Sequence, residues 1–178
     1  LSNATPIVFG QGLNAVSISS GTNHACAILN DESVMCWGQN DYGQLGDGTG
    51  GDYSQNNNRN TSTQIGDLGI NRTVIAISAA GFDKYTCTIL DDEDFSCWGY
   101  NQNGQLRNGN TINTNIPVAK ISLQLEILEN RISAGTFHMC IIFDNGSVSC
   151  WGSNYYGQLG DGTNTDRNLN NQKFIDFG

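Results

Sequence analysis

The chain has 178 residues with 17 acidic and 8 basic side chains, a net charge of −9. This balance excludes the cationic surface that binding to nucleic acid or anionic lipid requires, so we expect no nucleic-acid partner. Charged residues make up only 14% of the chain, whereas it contains 22 Gly and 23 Asn, residue types that favour turns. No apolar run approaches the roughly 18 residues of a membrane-spanning helix, and we expect no membrane insertion.

One sequence unit occurs three times along the chain. Each copy has two cysteines ten residues apart, and the second is followed directly by Trp-Gly. The cysteines are Cys26 and Cys36, Cys87 and Cys97, and Cys140 and Cys150. Each copy then continues into Asn-x-x-Gly-Gln-Leu, which begins at Asn40, Asn101 and Asn154. The repeat period of about 50 to 60 residues lies in the range of propeller blades and other repeat arrays.

Short segments within each copy are rich in Val, Ile, Thr and aromatic residues and are separated by Gly, Asn and Asp. This pattern is typical of strands joined by turns. We predict four strands per copy, and in the third copy they are residues 131–134, 138–143, 147–152 and 173–177. Asn145 and Gly146 are expected to supply the positive φ angles of a tight hairpin turn. The sequence therefore predicts an all-β protein.

The repeated pattern resembles that of a known family. Gly-x-x-His-x-Cys, a hairpin, and Trp-Gly-x-Asn-x-x-Gly-Gln-Leu-Gly together resemble the repeat of regulator-of-chromosome-condensation proteins, over nearly the whole chain. The resemblance implies one four-stranded antiparallel propeller blade per repeat, in a ring that usually has seven. The middle copy departs from the pattern, with Tyr85 where the other copies have His24 and His138, and Arg107 in place of a glycine.

The resemblance divides the single repeat domain, residues 1–178, into blades. In chain order, residues 1–10 are expected to be the last strand of a preceding blade, followed by blade 1 (11–68), blade 2 (69–121) and blade 3 (122–178). Propellers have four to eight blades, so three blades predict an incomplete ring. We therefore expect a segment of a longer repeat protein, or a subunit that self-associates through its open blade faces.

The two cysteines of each copy lie symmetrically about the predicted hairpin. This register places them opposite each other on adjacent strands, near the Cα separation of about 5.5 Å that a disulfide prefers. The even count and fixed spacing favour three disulfides and an exported protein. The resemblance, which extends to exported bacterial relatives, implies a secreted or cell-surface protein with bacterial-type export. Six reduced, buried cysteines are the alternative interpretation.

Two kinds of residue cluster have the ligand types of a metal site. His24, Cys26 and Cys36 could bind zinc, but the middle copy lacks the histidine and no fourth ligand is evident, so we predict no metal and no cofactor. Residues 47–52 and 161–166 carry runs of oxygen ligands. Their glycine position excludes an EF-hand and leaves open a weaker calcium site, with turn formation as the alternative role.

The sequence contains no catalytic arrangement of nucleophile and base and no phosphate-binding loop, so we predict no enzymatic activity. The expected function is a secreted protein-binding scaffold. Its partner is expected to be a protein, and the sequence does not indicate which one. Loop aromatic and adaptable polar residues are the expected contact residues. They are Asp41, Tyr42, Asp52, Tyr53, Asn103, Tyr155 and Tyr156. The alternatives are a guanine-nucleotide exchange factor-like regulator of a small GTPase, which the resemblance implies, and a structural repeat segment of a large adhesin or toxin.

Overall fold

A computed structural model describes residues 5–51, 57–69, 72–82, 84–118, 131–168 and 174–175. Within these ranges the chain consists of β-strands and turns, which confirms the all-β prediction. The same ranges hold no helix of the length and apolar character that crossing a membrane would require.

The strands form three antiparallel sheets, each a meander in chain order. The first sheet contains β1 (Ala15–Ser20), β2 (His24–Leu29), β3 (Val34–Gly38) and β4 (Arg59–Gln64). The second contains β5 (Val74–Ala79), β6 (Tyr85–Leu90) and β7 (Phe95–Gly99). The third contains β8 (Ile132–Ala134), β9 (His138–Ile142), β10 (Val148–Gly152) and β11 (Phe174–Ile175).

Two strand predictions differ from the structure. Within the described residues, which stop at 118 here, the second sheet has three strands. The segment beside β7 is joined to it by a bridge between Gly99 and Thr114 and by a bond from Val118 N to the Cys97 carbonyl. Pro117, in this segment, has no N–H with which to extend the pairing. Residues 5–10, expected to be a strand, belong to none. The predicted strand 173–177 is described only at Phe174–Ile175.

The hairpin turns differ from the expected two-residue type. Three residues separate Phe143 from Ser147, whose backbone groups are hydrogen-bonded, and only Gly146 has a positive φ angle, 81°. A turn of this length is a type I turn followed by one left-handed residue, so Asn145 need not adopt a positive φ. Glu32 and Glu93 take the left-handed position in the other two hairpins, with φ of 69° and 64°.

Three disulfides join the cysteines that the spacing pairs: Cys26–Cys36, Cys87–Cys97 and Cys140–Cys150. The partners lie directly opposite in the register of β2 with β3, β6 with β7, and β9 with β10. Their Cα atoms are 4.1 to 4.2 Å apart, closer than the separation expected from the sequence. The reason is that they occupy non-hydrogen-bonded pairs, where antiparallel strands approach most closely.

Each disulfide of the first two sheets faces the following sheet. The Cys26–Cys36 bridge packs in one apolar core with Leu90 and Trp98 of the second sheet. The Cys87–Cys97 bridge packs in another with Met139 and Trp151 of the third. These two bridges are fully buried, whereas the third retains solvent contact at Cys140.

This difference in burial predicts an order of reduction. Thiol–disulfide exchange requires access to a sulfur atom, so a mild reductant acting on dilute native protein should open Cys140–Cys150 first. Alkylation of the freed thiols followed by peptide mass spectrometry would measure the order. In denaturant the three bridges should be reduced at similar rates, and equal rates in the native protein would contradict the packing described here.

A histidine is buried where the first two sheets meet. The His24 ring lies against Gly21, where an added Cβ would be 2.8 Å from the ring carbon Cε1, and its Nε2 is 3.0 Å from Thr86 Oγ1 of the second sheet. Burial lowers the pKa of His24 from its ordinary value of 6.5 to about 4. Burial also lowers the pKa of His138, which is less deeply buried.

The stability of the chain should therefore fall as the pH drops from 6.5 to 4. In this window the unfolded chain binds a proton at His24 and the folded chain does not, so the stability present above pH 6.5 decreases by roughly 3 kcal/mol. His24→Gln should remove this part of the pH dependence, and His138→Gln should remove a smaller part. Urea unfolding measured across the window tests both, and an unchanged slope for His24→Gln would contradict the assignment.

Candidate protein-binding surface

One edge of the sheets brings most of the predicted contact residues together. Strands β3, β7 and β10 all end in Trp-Gly at this edge, where the chain enters the Asn-x-x-Gly-Gln-Leu turns. We call it the tryptophan rim. Its described loops are residues 21–23, 39–51, 80–82, 100–113, 135–137 and 153–166.

A buried asparagine holds each large rim loop in place. Asn154 Oδ1 accepts a hydrogen bond from Leu159 N at 2.9 Å, and its Nδ2 donates to the Thr163 carbonyl at 2.8 Å. Asn40 and Asn101 make the same bond to the leucine five residues later, at 3.0 and 2.9 Å. All three asparagines are fully buried. The repeated Asn-x-x-Gly-Gln-Leu element is therefore a hydrogen-bonded core for the loop.

Arginines lie beside the carboxylates considered for calcium. Arg167 Nη2 is 2.6 Å from Asp161 Oδ2, and Arg59 Nη2 is 3.1 Å from Asp47 Oδ2. Burial would raise the pKa of Asp161, but hydrogen bonds from Thr163 and Arg167, together with the arginine charge, outweigh it and hold this pKa well below its usual range. Each carboxylate thus anchors its own loop, and an arginine guanidinium lies where a calcium ion would have to bind.

The residues considered for zinc have other partners. Cys26 and Cys36 are joined in a disulfide, and His24 is bonded to Thr86. In the described part of the chain, no three His, Cys, Asp or Glu side chains lie close enough together to hold a metal ion.

The structure separates the predicted contact residues into two groups. Tyr155 and Tyr156 are 74% and 85% exposed, with their rings edge to face at 4.8 Å. Asp41, Tyr42 and Asn103 lie on the same rim but are half-buried. Asp52 and Tyr53 fall outside the described residues.

Tyr42 belongs to a cluster that sequence reasoning did not find. Its ring packs edge to face on Tyr100 at 5.0 Å, and Lys84 Nζ lies 4.8 Å from its centroid and 3.5 Å from Asp41 Oδ2. Lys84 directly precedes β6 and Tyr100 directly follows β7, so the cluster joins two copies across the rim. The contact depends on the placement of neighbouring sheets, which no motif within one copy reports.

Two further rim aromatics, Phe82 and Phe137, were also missed. They lie in the loops before β6 and β9 and are 76% and 38% exposed. A meander places the start of its second strand at the same edge as the end of its third. The signal was therefore available from the strand order, which puts the loops before β6 and β9 on the tryptophan rim.

The opposite edge, formed by the hairpins 30–33, 91–94 and 143–147, is acidic. We call it the hairpin rim. Arg72 is 3.0 Å from Asp92 Oδ2 and 3.9 Å from Asp94 Oδ2 at this edge. The hairpin carboxylates are Asp31, Glu32, Asp91, Asp92, Glu93, Asp94 and Asp144. The two rims therefore differ in chemistry, with one aromatic and the other anionic.

Comparison with known proteins finds a sequence match to two of the three copies. A sequence model of the regulator of chromosome condensation (RCC1) repeat matches residues 15–44 and 131–158. The two matched segments, in the first and third copies, therefore resemble the RCC1 repeat. The ultraviolet-B receptor UVR8 of Arabidopsis thaliana is 28% identical over 195 residues, a match that covers 84% of this chain and 44% of UVR8.

Solved structures share the fold of the chain. Human WBSCR16 matches with a TM-score of 0.76 at 18% identity, over 94% of this chain and 40% of that one. Prp20p of Saccharomyces cerevisiae matches with a TM-score of 0.75 at 21% identity, over 91% of this chain and 38% of that one. The chain thus spans less than half the length of each of these three proteins.

The RCC1 match lies in the first and third copies, and two of the departures of the middle copy contact the third sheet. The single O–H of Tyr85 lies between two carbonyls at the third sheet, with its Oη 2.5 Å from the His138 oxygen and 3.1 Å from the Gly135 oxygen. Arg107 adopts a left-handed φ of 53°, and its guanidinium lies 4.9 Å from the Trp151 ring. Arg107 N bonds to the Gly104 carbonyl just as Gly46 N bonds to Gly43, so the turn is retained.

Replacement of a rim asparagine should unfold its loop. Asn154→Ala should lower the free energy of unfolding by roughly 2 to 4 kcal/mol, because it leaves buried backbone groups without partners. Asn164→Ala, in the same loop but exposed, should change it by about 1 kcal/mol or less. Chemical denaturation of both variants provides the measurement, and equal losses would contradict the role of Asn154.

Proposed function

We propose that the chain is a non-enzymatic, extracellular protein-binding scaffold whose tryptophan rim contacts the partner. The observation that carries the proposal is the exposed pair Tyr155 and Tyr156 on a loop that buried Asn154 holds in place. Tyrosine supplies a large contact area and loses little side-chain entropy on binding. A loop already fixed in one conformation loses little more, which favours affinity.

Neighbouring rim residues extend this surface. Phe82 and Phe137 are exposed in loops at the same edge, and the cluster of Tyr42, Tyr100 and Lys84 lies between two copies. Exposed aromatic side chains on a fixed scaffold are typical of interface hot spots. The rim carboxylates Asp47 and Asp161 are engaged by arginines, a structural role that agrees with binding and not catalysis.

The charge distribution favours a basic partner. The net charge of −9 and the carboxylates of the hairpin rim create a negative field that steers cationic surfaces towards the chain. A protein partner is consistent with solved relatives of the same fold. Yeast RCC1 (Prp20) was crystallised with Kap60, and Prp20p was studied for binding to Gsp1p and histones.

The extracellular assignment rests on the disulfides. Three bridges join adjacent strands, and bridges of this kind persist in oxidising compartments and are rare in the cytosol.

The binding proposal is tested by affinity capture on immobilised chain. The bait is the unmodified chain, the rim variant Tyr155→Ala/Tyr156→Ala, or the hairpin-rim variant Glu32→Ala/Asp144→Ala. All four substituted side chains are exposed, so both variants should fold. Proteins from the source organism retained by each bait are quantified by mass spectrometry.

We expect at least one protein to be held by the unmodified chain and by the hairpin-rim variant, and to be reduced about 30-fold or more on the rim variant. A retained protein that both variants hold equally would show that the rim is not the binding surface. Loss on the hairpin-rim variant alone would move the binding site to the acidic edge. Capture of nothing above a blank support would favour a structural spacer.

A further inference from the structure

The contact between neighbouring sheets follows one pattern at both internal junctions. Trp98 Nε1 of the second sheet donates to the Gln44 carbonyl of the first, and Trp151 Nε1 of the third donates to the Gln105 carbonyl of the second, both at 2.9 Å. A second hydrogen bond is repeated between the first strands of neighbouring sheets, from β5 to β1 and from β8 to β5. Ala79 N donates to Ser19 Oγ, and Ala134 N donates to Ser78 Oγ, again at 2.9 Å. Each junction therefore has an acceptor face on the earlier sheet and a donor face on the later one.

The outer side of the third sheet repeats the acceptor face. Gln158 corresponds to Gln44 and Gln105, and Ser133 to Ser19 and Ser78. No residue of the described chain donates to the Gln158 carbonyl or to Ser133 Oγ. Gln44 and Gln105 are fully buried, whereas Gln158 is only half-buried. This face therefore presents the acceptor atoms of a sheet junction without their donors.

The acceptor face also retains the glycine beside which an indole packs at the first junction. A Cβ added to Gly46 would lie 2.6 Å from Trp98 Nε1, so at the first junction the indole fills the space beside this glycine. Gly160 stands at the same position in the third copy, and the nearest atom to its added Cβ is Ile175 Cδ1 at 3.5 Å. The side chain of Ile142, on the same face, is 40% exposed, whereas its counterparts Ile28 and Ile89 are buried.

The outer side of the first sheet repeats the donor face. Trp37 corresponds to Trp98 and Trp151 but is only half-buried, and its Nε1 has no acceptor within the described ranges. Phe9 lies 6.0 Å from the Trp37 ring and covers it in part. Ile18 is 66% exposed, whereas its counterpart Ile77 is 9% exposed because the first sheet covers it.

We propose that the acceptor face of the third sheet binds the donor face of the first sheet of a second copy of this chain. Trp37 of one copy fills the space beside Gly160 of the other and donates its indole N–H to the Gln158 carbonyl. The interface is heterologous, head to tail, because the two surfaces differ. A second copy fits this face because the two exposed faces carry the same groups as the two halves of the internal junctions. The inference does not depend on the partner proposed for the tryptophan rim.

Two charged variants test the proposal while preserving the fold. Ile18→Glu alters only the donor face and Ile142→Glu only the acceptor face, and both side chains are largely or partly exposed. Ile112→Glu, at a 71% exposed position on the tryptophan rim, is the matched control. Circular dichroism checks that each variant is folded, and sedimentation velocity over a concentration series measures association.

The unmodified chain and the control should associate as concentration rises, and each face variant should weaken association about 30-fold or more. A mixture of the two face variants should recover a one-to-one pair, since each supplies the face that the other lacks. Trp37→Ala should weaken association as much as Ile18→Glu. A monomer at all concentrations up to about 1 mM would overturn the proposal. So would an unaffected face variant, or a mixture that does not pair, which would indicate a symmetric interface.

Discussion

The structure depends on a hydrogen bond between an indole and a backbone carbonyl at each sheet junction. Trp98 and Trp151 each donate to the carbonyl of a Gly-Gln-Leu turn in the preceding sheet. The acceptor is in place because a buried asparagine fixes the turn, and the donor is in place because the tryptophan follows a disulfide-linked cysteine on the central hairpin. Three recurring features of the repeat therefore act together in this contact: the buried asparagine, the Gly-Gln-Leu turn and the tryptophan that follows the disulfide-linked cysteine.

The same contact gives the rim its shape. Because the turn that accepts the indole bond is also the loop at the edge of the sheet, fixing the junction fixes the loop. Tyr155 and Tyr156 project from such a loop, whereas Tyr42 projects from its counterpart and packs on the next sheet. The same short segment thus stabilises the sheet junction and forms the exposed surface of the tryptophan rim. The side chains between the asparagine and the glycine make neither of the loop-fixing bonds, so they can serve other contacts, as Tyr42 does with Tyr100.

Features that recur within one copy could be predicted from the sequence. The cysteine pairing followed from equal distances about a hairpin, and the strand positions of the third copy followed from alternating composition and turn residues. The exposure of Tyr155 and Tyr156 followed from their place in a turn. In each case the interaction is local, so the spacing along the chain carries the information.

Features that depend on contacts between copies could not be predicted in this way. The cluster of Tyr42, Tyr100 and Lys84 and the bonds from Tyr85 to the third sheet join residues about 40 to 60 positions apart, which motif spacing does not encode. The turn type was wrong because Asn-Gly occurs in loops of more than one length, and backbone pairing of Phe143 with Ser147 decides between them. The irregular pairing of residues 114–118 beside β7 reflects Pro117, whose missing N–H could be read from the sequence.

The most direct test of this account is the exchange of the three indole N–H protons with solvent, followed by NMR in dilute protein. The junction bonds predict slow exchange for Trp98 and Trp151, whose N–H groups are buried against carbonyls, and fast exchange for Trp37. Similar exchange rates for all three indoles would contradict the claim that these bonds hold the sheets together.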